Sequence, residues 1–151
     1  MAAVDRLITE RMLGKLARWL RLMGFDAPMV PEPPLRLQPG EILLTRRRSL
    51  VGKPGVIYVV SDSWLEQLKQ VMKEAGLELD EARCFTRCLD CNLPVEPLSR
   101  KQARSLVPEF VWSTAESFSR CPACGKIFWP GSHTSRAEHT LAQLRADLTT
   151  P

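Results

Sequence analysis

Apolar residues near the start of the chain recur mainly at steps of three and four. Leu13, Leu16, Leu20 and Met23, with Met12 beside them, predict a helix from Glu10 to Met23, and Gly24 follows as its stop. Thr9 stands where it could cap that helix, and Glu10 suits the positive end of its dipole. Upstream, Val4-Asp-Arg-Leu-Ile8 reads as a short first strand. Five prolines in the twelve residues from Pro28 to Pro39 exclude a regular helix and indicate an extended loop. Ile42-Leu43-Leu44 and Val56-Ile-Tyr-Val-Val60 are short β-rich runs bounded by Gly or Pro, as buried strands are. Ser63 with Glu66 predicts a capping box for a second helix, which carries Trp64, Leu65, Leu68, Val71 and Met72 and stops at Gly76. Strands alternating with helices imply an α/β fold, a small, mainly parallel sheet with flanking helices.

Near Asp80 this alternation gives way to cysteine pairs and short segments. A domain boundary is expected around residues 80–83, separating an α/β domain at 1–82 from a second domain at 83–151. In the second, Ser99 and Gln102 predict a capping box, residues 121–129 resemble a hairpin, and a last helix is expected from Ser135 to Leu148, with Ser135 and Glu138 as its box.

The five cysteines carry the clearest chemistry. Cys88 and Cys91 form one C-x-x-C pair, and Cys121 and Cys124 form the other. Two cysteines at this spacing turn both sulfurs toward one ion at about 2.3 Å, and four thiolates satisfy tetrahedral zinc. Such a site is structural, because it leaves no open position for a substrate. Gly125 after the second pair relieves crowding where amides turn toward sulfur. The 29 residues between the pairs exceed the usual ribbon spacing, and an inserted helix accounts for the excess. Cys84 fits a pair less well and reads as a small buried residue. His133 and His139 become ligands only if a cysteine fails, and His133 otherwise reads as a hydrogen-bonded turn residue.

Charge adds one element. The chain has a net charge of +4, and residues 1–53 hold ten Lys/Arg against five Asp/Glu. Arg11, Lys15 and Arg18 share one stripe of the first predicted helix, with Arg21 nearby, and Arg46-Arg47-Arg48 lie between the two later strands. Both groups could face phosphates, and both also read as ordinary solvated surface. No apolar run approaches the ~20 residues of a membrane span, so no membrane partner is expected. With no signal-peptide pattern and an odd cysteine count, a cytoplasmic protein is expected.

Three stretches now coincide. Arg11-Met-Leu-Gly-Lys-Leu-Ala-Arg-Trp-Leu-Arg-Leu-Met-Gly-Phe-Asp26 resembles the opening of the Mut-seven C-terminal ribonuclease-domain family. Glu41-Ile-Leu-Leu-Thr-Arg46 resembles its second strand, and residues 86–133 look like its zinc ribbon. The resemblance implies a PIN-like α/β domain joined to a four-cysteine zinc ribbon, with RNA as substrate class. It also implies catalysis by a carboxylate cluster holding Mg or Mn. The sequence departs from that pattern in three places. Glu10 stands where the family has an Asp, Arg47 replaces the carboxylate of a Thr-Arg-Asp motif, and the proline-rich loop replaces an acidic helix. Glu10, Asp26 and Asp62 are the remaining catalytic candidates.

Two functions are in play, with a third, blander one. The chain is a metal-dependent ribonuclease using Glu10, Asp26 and Asp62, or a non-catalytic relative that binds RNA or a ribonucleoprotein through Arg11, Lys15, Arg18 and Arg46–Arg48. The third is a protein-interaction module whose ribbon docks a partner. The sequence leaves the oligomeric state open.

Overall fold

A computed structural model describes residues 3–149. The chain divides into two compact units, Met1–Asn92 and Leu93–Pro151.

The first unit contains β1 (Arg6–Glu10), α1 (Gly14–Leu22), β2 (Met29–Val30), β3 (Glu41–Thr45), β4 (Val56–Tyr58) and α2 (Trp64–Ala75). Its strands form one sheet in the order β2-β1-β3-β4, with every pair parallel. Leu7, Ile8, Thr9 and Glu10 are consecutively buried, as expected of a parallel strand covered on both faces. The α/β architecture with flanking helices is therefore as its sequence pattern implies.

The start of α1 differs from expectation. Thr9 is not a helix cap but the centre of the ladder, paired with Met29 on one side and Leu44 on the other. Its hydroxyl donates to the Leu7 carbonyl at 3.0 Å. Thr9 stays within the strand, where a β-branched side chain fits well. Arg11–Leu13 form a 3-10 turn before α1 proper. The apolar stripe then holds: Leu13, Leu16, Leu20 and Met23 are buried, while Met12 is exposed. Gly24 ends the helix at φ +91°, and a Cβ there would stand 2.3 Å from the Arg83 carbonyl oxygen.

α2 packs on α1 through stacked Trp19 and Trp64 rings, 4.7 Å apart and 6° from parallel. Ser63 occupies the N-cap position of α2, but the expected capping box is not made. The Ser63 amide donates to Ser61 Oγ at 3.0 Å, and Glu66 pairs instead with Lys69 at 3.3 Å.

The second unit contains β5 (Glu96–Leu98), α3 (Arg100–Ala103), α4 (Glu109–Thr114), β6 (Phe118–Arg120), β7 (Ile127–Phe128) and α5 (Ser132–Thr149). Its antiparallel sheet has the order β5-β6-β7. Ala103, Ala115 and Phe118 form a small core with Leu98, Val107, Val111, Trp112 and Ile127 packed on it. The Ser99–Gln102 capping box of α3 is complete. α5 begins at Ser132, earlier than expected, so Ser135 lies inside it. The Ser135 amide and hydroxyl both donate to the Gly131 carbonyl, at 3.0 and 3.2 Å, and no box with Glu138 forms there.

Candidate functional site

The two cysteine pairs sit in matching turns. In the first, the Asn92 amide donates to the Cys88 carbonyl at 2.9 Å; in the second, the Gly125 amide donates to the Cys121 carbonyl at 3.0 Å. Asn92 and Gly125 each follow a pair's second cysteine, and both adopt left-handed backbone, at φ 61° and 76°. Gly enters that region freely, and Asn is among the few other residues that tolerate it. The Cys91 amide points at Cys88 Sγ, 3.5 Å away.

The sulfurs of Cys88, Cys91, Cys121 and Cys124 all lie within 4.8 Å of one another. Tetrahedral zinc with bonds of about 2.3 Å separates its sulfurs by about 3.8 Å, so the donor set suits a metal ion of that kind. Cys88 and Cys121 are fully buried, and no disulfide links the five cysteines. Cys84 is outside the cluster and only half-buried, with its Sγ 3.4 Å from the Asp80 carbonyl. His133 is exposed in the first turn of α5.

The first pair is tied into the α/β unit by residues that carry no metal. Arg21 of α1 donates to the Leu89 carbonyl at 2.7 Å and the Ala27 carbonyl at 2.9 Å. Burial pushes its guanidinium below the ordinary arginine value, Arg18 adds to that, and Cys88, Asp90 and Asp26 oppose it. The Asn92 side chain donates to Asp26 at 2.6 Å and accepts from the Ala27 amide at 3.0 Å. Arg18 pairs with Asp90 at 2.9 Å.

A second cluster lies at the carboxyl edge of the parallel sheet, where such folds present functional groups. Glu10 ends β1 with only 4% of its side chain exposed. One carboxylate oxygen accepts from Thr45 Oγ1 at the end of β3, and the other accepts from Arg47 Nε at 2.7 Å. The Arg47 amide donates to Thr45 Oγ1 at 3.0 Å, which fixes the chain as it leaves β3. Arg47 Nη2 stands 3.3 Å from Glu32. The hydrogen bond to Glu10 raises the Arg47 guanidinium above its ordinary value, against a smaller desolvation effect, and the charges of Glu10 and Glu32 add to the rise. Beyond β4, Arg46 pairs with Asp62 at 2.5 Å.

The three carboxylates read as catalytic from sequence stand in different settings. Glu10 is buried against Thr45 and Arg47, while Asp62 is 93% exposed beside Arg46. Asp26 lies next to Arg6 at the opposite end of β1, with its carboxylate on Asn92 and Arg6. The four residue steps from Arg6 to Glu10 span about 13 Å of strand. Among the described residues, the cysteines are the only group of three or more metal-type ligands brought together. Of the basic residues, Arg11 and Arg48 are exposed, Lys15 sits over the Trp64 ring at 5.2 Å, and Arg18, Arg46 and Arg47 are ion-paired. Arg21 and Thr45 stand in the sequence only beside the basic stripe and within the second-strand stretch, and the bonds they make are not legible there. Only Asn92 left a signal, as a turn-tolerant residue directly after a C-x-x-C pair.

Among the described residues, no helix is long and apolar enough to cross a membrane. No curated protein and no solved structure matches the chain. A family model described as the Mut7-C RNAse domain matches residues 5–141, nearly the full length, and the chain belongs to that family.

Proposed function

We propose that this chain is an RNA-binding member of its family whose sheet edge engages phosphates through arginine, not through a catalytic divalent ion. The family supports RNA as the substrate class. One observation carries the rest: the Arg47 guanidinium is bonded to Glu10, the one buried carboxylate of the sheet edge. A cation held on that carboxylate occupies the oxygen a divalent ion would need and opposes a second cation. Its partly exposed outer edge, paired only with solvent-exposed Glu32, can take a phosphate in exchange. Arg46 and Arg48 adjoin it in the same segment.

In this reading the four cysteines hold zinc. With thiolates in all four positions the ion has no open site, so it supplies folding free energy to a unit whose apolar core is small. Any RNA chemistry falls to the edge of the parallel sheet.

A metal-dependent ribonuclease using Glu10, Asp26 and Asp62 is the competing reading, favoured by the family match alone. The test is to incubate zinc-loaded protein with labelled single-stranded and structured RNA, with Mg or Mn and then with EDTA. Salt-sensitive binding without cleavage is expected. Metal-dependent cleavage abolished by Glu10→Ala or Asp62→Ala would establish the nuclease. Absence of RNA affinity even at low salt would contradict both and leave a protein partner.

A further inference from the structure

The two sides of the Arg47 guanidinium are held very differently. Its Nε faces Glu10, whose side chain is 4% exposed and whose second oxygen accepts from Thr45. Its backbone is pinned by the hydrogen bond that the Arg47 amide donates to Thr45 Oγ1. Its Nη2 faces Glu32, which lies in the proline-rich segment with 77% of its side chain in solvent. The inner bond is therefore fixed and the outer one is replaceable. Exposed ion pairs of this kind contribute little, because water and salt compete for both partners.

From this we propose that the outer edge of Arg47 is a phosphodiester subsite, and that Glu32 is its resident competitor. A phosphodiester carries the same single negative charge as the Glu32 carboxylate and offers a comparable pair of oxygens. The planar arginine fork accepts either group. Exchange of one for the other on Nη2 leaves the Glu10–Thr45–Arg47 arrangement in place while the Glu32 carboxylate turns into solvent. Arg48, exposed in the next turn, supplies a neighbouring positive charge along the same chain segment. Glu32 thus lowers the affinity of the edge for any anion, and a polyanion with several contacts displaces it most readily. The inference rests on the RNA-binding reading and names the contact at which it operates.

The test measures fluorescence anisotropy of a fluorescein-labelled oligouridylate on metal-loaded, full-length protein. Glu32→Gln removes the competing charge at an exposed position and leaves the fold intact by thermal melting. It is expected to tighten RNA binding by about two- to fivefold. That gain is expected to vanish in an Arg47→Lys background, which keeps a cation on Glu10 but loses the fork, and to persist in an Arg48→Gln background. If wild type binds RNA but Glu32→Gln has no effect, or the gain persists with Arg47→Lys, the subsite is overturned and the RNA reading stands. If neither wild type nor Glu32→Gln binds, both fall.

Discussion

Arg47 Nε lies 2.7 Å from a carboxylate oxygen of Glu10, joining residues 37 apart in sequence at the ends of neighbouring strands. The pair places a fixed cation on the most buried acid of the sheet edge. It holds because Thr45 serves both partners, donating to Glu10 and accepting from the Arg47 amide.

Thr45→Val therefore removes two hydrogen bonds while keeping the shape of the side chain. It leaves a buried carboxylate short of a donor, which costs about 1–3 kcal/mol. At roughly 2–4 °C per kcal/mol for a chain of this size, a clear fall in Tm is expected by differential scanning calorimetry. Thr45→Ser, which keeps the hydroxyl, should recover most of it. Equal Tm for Thr45→Val and wild type would contradict the arrangement.

Much of the framework was legible because it rests on local patterns. Short apolar runs bounded by Gly or Pro gave the parallel strands, and C-x-x-C spacing gave the four-cysteine cluster. The edge pair was not legible in the same way. That Glu10 ends a strand, not begins a helix, depends on the register of β1 between β2 and β3. Helical periodicity at Met12–Met23 spoke only for the residues after it. Arg21 was placed near the solvated stripe of its helix, yet it is 7% exposed, because residues 89–90 cover it from 68 positions away. Ser63 and Ser135 had the composition of caps, but neighbouring groups competed for their bonds: Ser61 took one amide, and an earlier helix start absorbed the other.

Arg21→Met should weaken metal binding without touching a cysteine. It removes the charged donor to the Leu89 and Ala27 carbonyls, a loss of about 2–3 kcal/mol in stability. Groups that orient metal ligands in this way typically control affinity by about 10- to 100-fold. Competition with a chromophoric chelator measures this directly. Unchanged metal affinity would show that the first cysteine turn forms without Arg21.

Stripping the metal should cost the second unit its fold, since the core formed by Ala103, Ala115 and Phe118 is small. One zinc per chain is expected by metal analysis. Substitution by cobalt should give the absorption of tetrahedral thiolate coordination, lost in Cys121→Ser. The ligands must be deprotonated, so metal release should increase as pH falls. Retention of full circular-dichroism signal and amide protection in the metal-free chain would contradict this role.

Manganese binding to the zinc-loaded protein tests the central claim most directly, by electron paramagnetic resonance titration of free Mn. With Arg47 held on Glu10, no saturable Mn site that depends on Glu10 is expected, and Glu10→Gln should leave the titration unchanged. One Mn bound per chain, lost in Glu10→Gln and accompanied by RNA cleavage, would contradict the account and establish a catalytic metal at the sheet edge.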